Sequence, residues 1–426
     1  MYQQTTLPNG LRIVTFQMPH TRSAAVQFFV RVGARNEVEE KSGISHFLEH
    51  MVFKGTENRP RPVLISEAIE GVGGSLDAST DHEQTSYRAL VPSPYFSNAV
   101  DVITDMLRRP LLRDDEIARE RSVIIEEINS IFDSPGDIVD FVFDELMWGE
   151  HPLGRDIAGT KATVRRIKRK DLTGHLEVGY RPDRIVVSVA GNVDHEQVVE
   201  EVGRRWGDLA PANHSHNLPD PDAPHLNGSG PKVLPFRKRT EQTNFILGVP
   251  ALPYTDPERY TQDVLDALLG GGMSSRLFVE IRENRGLAYA VSSFVRSYRD
   301  TGAFGVHAAV DTDQLLPAVQ GVLEELKRMR ETAVSETELR KVKEYIKGHT
   351  LLSLERSGYV AHWGGWQELM LGRIESVDDV LDKIESVTPD DIARLSEQLF
   401  REERLNLAFV GPQKDAEALQ SALRLN

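Results

Sequence analysis

The stretch Gly43-Ile-Ser-His46-Phe-Leu-Glu49-His50 places two imidazoles and a carboxylate within one turn of chain. On a helix, positions i, i+3 and i+4 project from one face, so His46, Glu49 and His50 would converge on one point. Two neutral imidazoles can each give a nitrogen lone pair to Zn²⁺, and the carboxylate can take a proton from metal-bound water. The pattern HxxEH, the reverse of HExxH, therefore predicts a helix that holds part of a hydrolytic zinc site.

Composition and charge narrow the class of protein. The chain has 426 residues, of which 40% are hydrophobic and 27% charged, and such a globular composition at this length favours roughly two or three domains. Cysteine is absent, which excludes disulfides and thiolate ligands and leaves His, Asp and Glu for any metal. The net charge of -15 disfavours a nucleic-acid partner and suits basic peptides or simply solubility.

The sequence contains no pattern typical of membrane insertion or export. No apolar run approaches the roughly 18 residues that cross a bilayer. The opening MYQQTTLPNG has neither the basic start nor the apolar stretch of a signal peptide, and it lacks an Arg-rich transit pattern. We therefore expect no membrane partner and a cytoplasmic location.

The two halves of the chain repeat one order of elements. Strand-like residues 25–32 precede the HxxEH helix, and strand-like residues 243–249 precede a helical pattern at 260–269. Each half continues with a strand pair, an amphipathic helix and a long helix, at 114–132 and 335–354, and closes with a helix and a strand. This repetition predicts an internal duplication.

The duplication predicts an α+β fold of two similar domains, each a mixed or antiparallel sheet covered by helices. The polar, proline-rich residues 211–235 are expected to link a first domain at 1–210 to a second domain at 236–426. The chemistry is not duplicated, because the second copy has DVLDAL opposite the HFLEH helix. We therefore expect one domain that holds metal and one that does not.

A catalytic zinc normally needs a third protein ligand, and the long helix at 114–132 offers glutamates for this role. Four isoleucines define the apolar face of that helix: Ile117, Ile124, Ile128 and Ile131. Glu120 and Glu127 lie together on the flank of this face, whereas Glu126 points away from it. Their position around the helix favours Glu127 as the ligand and Glu120 as a partner that orients a histidine. A solvated helix, however, would expose both glutamates.

Longer motifs in both halves carry a family resemblance. They are His50-Met-Val-Phe53-Lys-Gly-Thr56, Gly73-Gly-Ser-Leu-Asp-Ala78-Ser-Thr80, Gly271-Gly-Met-Ser-Ser-Arg276 and Arg282-Glu-Asn-Arg-Gly-Leu-Ala-Tyr289. Together with HFLEH and the Glu-Glu-Ile run that contains Glu127, they resemble the pitrilysin, insulinase and mitochondrial-processing-peptidase family. Members of this family are inverted-motif zinc metallopeptidases, or inverzincins, and the chain resembles their short bacterial type.

The resemblance implies one Zn²⁺ per chain. It implies His46, His50 and Glu127 as the metal ligands, Glu49 as the general base and Glu120 in a supporting catalytic role.

The resemblance also implies substrate contacts in the first half. Ser75, Leu76, Asp77 and Ala78 belong to a strand that would pair with the substrate backbone, as in β-augmentation, although an ordinary edge strand would look the same. Phe53 resembles a residue that lines the pocket just after the cleaved bond, and a buried core phenylalanine is the alternative.

Arg282 and Tyr289 resemble the arginine and tyrosine that the second half of family members presents to substrate. An arginine can hold a peptide carbonyl, and a tyrosine hydroxyl can donate to a developing oxyanion. In short-chain members these groups come from a second subunit and face the zinc across a chamber. This chain carries both the zinc-site residues and the Arg–Tyr pair. The resemblance therefore implies a homodimer with composite sites, and a heteromer with a paralogue stays open.

The expected function is that of a zinc-dependent endopeptidase, which hydrolyses peptides or unfolded segments inside a chamber formed by two subunits. Two alternatives stay open: a non-catalytic assembly subunit of the same fold, and a different zinc hydrolase such as an amidase or esterase. Retention of three ligands and the base disfavours the first alternative, and the resemblance of the substrate strand and the Arg–Tyr pair disfavours the second.

Three further features are expected to have no part in catalysis. The run Gly270-Gly-Gly-Met-Ser-Ser follows a helix and lacks a following Lys-Ser or Lys-Thr, so it predicts a helix stop rather than a phosphate loop. His151 is expected at a structural turn. His214 and His216, in the linker, would form an exposed and therefore poor metal site.

Overall fold

The computed structural model describes residues 2–211, 218–224, 230–413 and 416–425 of the chain. Contacts divide the chain into two units, each assembled from three stretches of sequence. The first unit comprises Met1–Ile128, Arg155–Pro221 and Leu351–Ser376. The second unit comprises Asn129–Gly154, Asp222–Thr350 and Val377–Asn426. His214 and His216 lie outside the described residues.

The first unit contains a six-stranded sheet. Its strands are β1 (Tyr2–Thr6), β2 (Arg12–Gln17), β3 (Ser23–Val30), β4 (Ser75–Thr80), β5 (Thr85–Pro92) and β6 (Ile185–Gly191). They are arranged in the order β1-β2-β6-β3-β5-β4, with β2 and β6 parallel and all other neighbours antiparallel. The central strand β6 is buried at every residue, which is typical of a strand covered on both faces.

The second unit contains a five-stranded sheet. Its strands are β7 (Lys232–Arg237), β8 (Gln242–Ala251), β9 (Ala288–Ser297), β10 (Gly302–Asp311) and β11 (Asn406–Gly411). They are arranged in the order β7-β11-β8-β10-β9, with β7 and β11 parallel and all other neighbours antiparallel.

The two sheets have one topology. When β2 to β6 are matched in chain order with β7 to β11, the strand order and every strand direction agree, and β1 is an addition to the first sheet. The predicted α+β fold of two similar domains with mixed sheets is therefore confirmed. The shared topology agrees with an internal duplication.

Fifteen α-helices surround the sheets in the described residues. They are α1 (Ile44–Val52), α2 (Pro62–Glu70), α3 (Phe96–Arg108), α4 (Asp114–Asp133), α5 (Pro135–Trp148), α6 (Lys161–Arg166), α7 (Arg169–Gly179), α8 (His195–Trp206), α9 (Arg259–Gly270), α10 (Leu315–Glu331), α11 (Glu336–Ser353), α12 (Ser357–Leu371), α13 (Val377–Ser386), α14 (Pro389–Leu399) and α15 (Glu417–Ala422). The helix stop expected from the glycine-rich run appears at Gly270, the last residue of α9.

Each sheet is covered on one face by a helix from the other half of the sequence. Helix α12 packs on β2, β3 and β6, and helix α5 packs on β7, β8 and β11. Gly364 and Gly365 permit the close approach of α12, because an added Cβ would lie 2.1 Å from the Phe16 ring or 2.2 Å from the Phe29 ring. Bulk at these two positions would therefore push the helix off its sheet.

The two units consequently differ from the boundaries expected at 1–210 and 236–426. Residues 129–154 belong with the second sheet, and residues 351–376 belong with the first. The pattern of a helix indicates that it is buried, but a sheet face can be covered by any helix of suitable shape. The order of elements in the sequence therefore did not reveal that each half contributes a helix to the other half's sheet.

In the described parts of the chain, no helix is long and apolar enough to cross a membrane. The cytoplasmic location expected from the sequence stays a prediction.

Candidate metal centre

Helix α1 carries the HxxEH motif with its two faces sharply different. The residues Ile44, Phe47, Leu48, Met51 and Val52 are at most 2% exposed and fill the core. His46, Glu49 and His50 lie on the opposite face and are partly exposed. The helix therefore has the phase that the motif predicts.

The start of α1 is fixed by a glycine and by a remote carboxylate. Gly43 has φ +92, and an added Cβ would lie 2.4 Å from the carbonyl oxygen of Ala158, so a side chain does not fit there. Glu37 accepts hydrogen bonds from the Gly43 amide at 2.7 Å and the Ser45 amide at 2.8 Å. Ser45 Oγ also lies 3.0 Å from His175 Nε2. These contacts set the position of α1 just before His46.

Glu37 is a residue that sequence reasoning missed. Its carboxyl caps the helix but precedes Gly43 in an irregular segment, so no helical spacing connects it to the motif. Burial raises the pKa of Glu37 to about 7, and the hydrogen bonds from Ser45 and Gly43 oppose that rise.

Three side chains converge at the exposed face of α1. His46 Nε2 lies 3.2 Å from His50 Nε2, and the Glu127 carboxylate oxygens lie 3.7 Å from His46 Nε2 and 3.6 Å from His50 Nε2. In the part of the chain that the structure describes, these residues form the one group of three or more His, Asp or Glu side chains suited to a metal ion. The structure thus brings together the predicted set of His46, His50 and Glu127.

This arrangement fits zinc. Tetrahedral Zn²⁺ with Zn–N bonds of 2.0–2.1 Å requires its nitrogen ligands to be about 3.3 Å apart, close to the observed spacing of the two Nε2 atoms. Burial lowers the pKa of His46 to about 4, so its imidazole is neutral and its lone pair is available to a metal. Two imidazoles and a carboxylate also match the donor set of a catalytic zinc with an open fourth position.

Glu120 supports the cluster from behind His50. One of its carboxylate oxygens lies 2.8 Å from His50 Nδ1, and the other lies 2.8 Å from Lys54 Nζ. Burial would raise the pKa of Glu120, but the bonds from His50 and Lys54 lower it below its usual value. Nδ1 of His50 is thereby held as the donor, and Nε2 is left for the metal. Lys54 was missed in the sequence, because a lysine that follows a motif has no distinctive pattern.

Glu49 is held by the end of β4. The Thr80 hydroxyl donates a hydrogen bond of 2.5 Å to Glu49 Oε2. Burial raises the pKa of Glu49 above its usual value, and the bond from Thr80 and the proximity of His50 oppose this rise. A partly buried carboxyl with a raised pKa is suited to accept and return a proton near neutral pH.

Strand β4 is the last strand of the first sheet and pairs on one side with β5. Ser75 and Asp77 are exposed, whereas Leu76 and Ala78 are partly exposed on the other face. Phe53 directly follows α1 and is partly exposed. The substrate contacts expected of these five residues stay predictions.

Arg282 and Tyr289 lie together in the second unit. Arg282 belongs to a π-helical turn, Phe278–Asn284, and its guanidinium stacks 4.8 Å from the Phe278 ring centre and 5.2 Å from that of Tyr289. Tyr289 lies on β9, the last strand of the second sheet, and is 76% exposed. Arg282 itself is partly exposed, so the two side chains form an arginine–tyrosine pair at the surface of the second unit.

A duplicated α+β fold that presents an HxxEH helix and a His-His-Glu cluster is the architecture of a zinc metallopeptidase. Comparisons with known proteins make the class specific. Profiles of two domains match the chain, namely Insulinase (Peptidase family M16) at residues 12–161 and Peptidase M16 inactive domain at residues 166–346. The chain belongs to this insulinase family.

Relatives and solved structures agree with this assignment. A Streptomyces coelicolor protein named as a zinc protease is 39% identical over 98% of this chain and 91% of its own length. The Bacillus subtilis zinc protease YmxG is 34% identical over 97% and 98% of the two chains. A Helicobacter pylori protease has a TM-score of 0.90 at 24% identity, covering 97% of this chain and 99% of that one. A chain of complex III2 from Candida albicans has a TM-score of 0.84 at 18% identity over 99% of both.

The relatives establish a zinc-dependent peptidase, whereas the two solved structures show only the fold at these identities. The predicted enzyme class, the peptide substrates and the Zn²⁺ cofactor are thereby confirmed.

Proposed function

We propose that the protein is an endopeptidase that hydrolyses peptides or unfolded segments, with His46, His50 and Glu127 as zinc ligands and Glu49 as general base. The observation that carries the proposal is the position of the Glu49 carboxylate on the same face of α1 as both histidines. There it interacts electrostatically with His50 and Glu127, and Thr80 holds one of its oxygens.

The chemistry divides between the metal and the chain. Zinc, when bound, supplies Lewis acidity that polarises a peptide carbonyl and lowers the pKa of water. Glu49 takes the proton of the attacking water and later delivers a proton to the leaving amine. Because Thr80 donates to Oε2, proton transfer is directed to Oε1. Glu120 keeps His50 in the tautomer that presents Nε2 to the cluster.

Substrate recognition is assigned to β4. A peptide that adds to the free side of this edge strand would form main-chain hydrogen bonds, which are tolerant of sequence. The Thr80 end of β4 contacts Glu49, so an added strand would pass the proposed base. Phe53, directly after α1, is placed in the pocket for the residue that follows the cleaved bond.

Arg282 and Tyr289 are proposed to complete the site of a second subunit. The exposed Tyr289 hydroxyl would donate to the developing oxyanion, and Arg282 would hold a substrate carbonyl. Two identical chains would then form a chamber with two composite sites. A paralogous partner would give the same arrangement with one or two active sites.

Co-expression of two inactive variants tests this arrangement. A mixture of Glu49→Gln and Tyr289→Phe chains, each carrying a different tag, is purified through both tags so that only mixed dimers remain. One site then has both intact groups and the other has neither, so about half of wild-type activity should return. Mixed dimers as inactive as either parent would place both groups of a site on one chain.

The activity itself is tested with internally quenched peptides blocked at both ends. Cleavage should be abolished by a chelator and restored by Zn²⁺. A non-catalytic assembly subunit would show no such cleavage, and an amidase or esterase would act on small amide or ester substrates while leaving internal peptide bonds intact.

A further inference from the structure

A groove of about 750 Å³ lies along the face of the first sheet that α12 partly covers. Its lining includes Ala25 on β3, Leu90 on β5, Asp77 on β4 and Tyr359 on α12. We call it the β4 groove. Helix α12 packs on β2, β6 and β3, which leaves the β5 and β4 end of this face open.

The register of the strands shows that the groove and the metal centre lie on opposite faces of β4. Thr80 points to Glu49 on the α1 side, and residues two apart in a strand share a face, so Ala78 and Leu76 face that side. Asp77 is paired with Arg88 across the sheet and faces the groove.

A peptide added to the edge of β4 would therefore send alternate side chains to the two faces. One set would approach α1 and the metal centre. The other set would enter the β4 groove. This inference rests on the proposed function, because it assumes that peptides pair with β4.

The chemistry of the groove favours an apolar occupant. Leu90 is 42% exposed there, and the partly exposed Tyr359 adds aromatic surface. The Asp77 carboxylate is neutralised by its contact with Arg88. Glu355 and Arg356, which also line the groove, carry opposite charges. Burying an aliphatic or aromatic side chain against the exposed Leu90 is favourable, whereas a charged side chain would lose hydration and meet lining charges of both signs.

We propose that the β4 groove is a specificity subsite for one apolar or aromatic side chain of the peptide. Asp77 precedes Thr80 by three residues, a separation of about 10 Å along a strand. Since Thr80 contacts Glu49, the preferred side chain lies roughly three residues from the cleaved bond. The neighbouring positions, whose side chains face α1, do not enter this groove.

The test uses the full-length zinc-loaded protein and a set of internally quenched peptides. In this set, one position at a time, among the four on each side of the cleaved bond, is occupied by Phe, Leu, Ala or Asp. At one position about three residues from the bond, kcat/KM should be roughly 5- to 20-fold higher for Phe or Leu than for Ala. The Leu90→Ser variant should reduce this ratio to within about 2-fold of unity. The matched control is Val63→Ser, an exposed apolar residue on α2 that is 47% exposed and outside the groove, and it should keep the wild-type ratio.

The outcomes separate this inference from the function on which it rests. Chelator-sensitive cleavage with equal rates for Phe, Leu and Ala at every position would overturn the subsite alone. A preference that survives Leu90→Ser unchanged would do the same. If none of the peptides is cleaved in a chelator-sensitive way, the endopeptidase function falls and the subsite with it.

Discussion

Helices α1 and α9 follow equivalent strands in two sheets of one topology, yet they present different chemistry. Phe47, Leu48 and Met51 of α1 are buried, and the residues in the same positions of DVLDAL, such as Val264 and Leu265, are buried too. At the positions where α1 has His46, Glu49 and His50, helix α9 has Asp263, Asp266 and Ala267. The packing residues have kept their character while the polar residues have diverged, so the fold does not by itself require the metal centre.

The edge strands differ in the same way. Strand β4 ends in Thr80, which holds Glu49, whereas the matching strand β9 carries the exposed Tyr289. The matching edge strands thus carry different groups, a base-supporting threonine in the first unit and an exposed phenol in the second. The second unit is proposed to act on substrate without holding metal.

The largest expected change in activity comes from a pair of variants that tests the contrast between α1 and α9. Glu49→Gln should lower kcat by about 10²- to 10⁴-fold, because the amide cannot take a proton, while bound zinc stays at the wild-type level. Asp266→Asn, at the matching position of α9, should change kcat by less than about 2-fold. Peptidase assays with metal analysis measure both. Equal losses in the two variants would break the contrast.

The exposed tyrosine of the second unit should come next. Tyr289→Phe is expected to lower kcat by about 10²- to 10³-fold through loss of one oxyanion donor, with KM and zinc content little changed. Tyr95→Phe, at another exposed tyrosine (45%) in the first unit, serves as the control. Full activity of Tyr289→Phe would show that the Tyr289 hydroxyl takes no part in the reaction.

Two adjacent glutamates of α4 sharpen the assignment of the third ligand. Glu127→Gln should weaken zinc binding by about 100-fold or more, whereas Glu126→Gln, on the far side of the helix, should bind zinc as the wild type does. Competition with a chromogenic chelator measures both affinities. A larger effect from Glu126→Gln would reverse the predicted phase of α4.

The smallest expected effect concerns the Glu37 carboxyl, which accepts hydrogen bonds from backbone amides at the start of α1. Glu37→Gln replaces one acceptor of a buried pair of hydrogen bonds, so the free energy of unfolding should fall by about 1–3 kcal/mol at low pH. Urea unfolding measures it at about pH 5 and about pH 8.

The contribution of Glu37 to stability should depend on pH in a defined direction. Burial raises the pKa of Glu37 from 4.5 to about 7, so the folded state binds this proton more tightly than the unfolded chain. The contribution of Glu37 to stability is then fully present below pH 4.5 and is lost as the pH rises through about 7. The wild type should therefore lose its advantage over Glu37→Gln at the higher pH. An advantage that grows with pH would show an ionised carboxylate in the folded protein.

Much of the site was accessible from the sequence because it depends on helical periodicity. The spacing of His46, Glu49 and His50 requires only one helix, and the isoleucines of α4 place Glu127 and Glu120 on the inner flank. Thr80, Lys54 and Glu37 were not accessible in this way. Thr80 contacts α1 from a strand end and Glu37 contacts it from an irregular segment, whereas Lys54 lies just beyond α1 and contacts Glu120 of α4. None of these positions has a repeating pattern.

By itself, the sequence determined the duplicated α+β fold, the residue types of the candidate metal centre and the helix faces that carry them, because periodicity and donor chemistry are local properties. Only the tertiary structure decided that α5 and α12 cover the sheets of the opposite halves, that Glu37 caps α1 and that Thr80 holds Glu49. The β4 groove likewise exists only because α12 covers part of one sheet face. Such contacts depend on which surfaces meet in space, and a sheet face accepts any helix whose shape fits it.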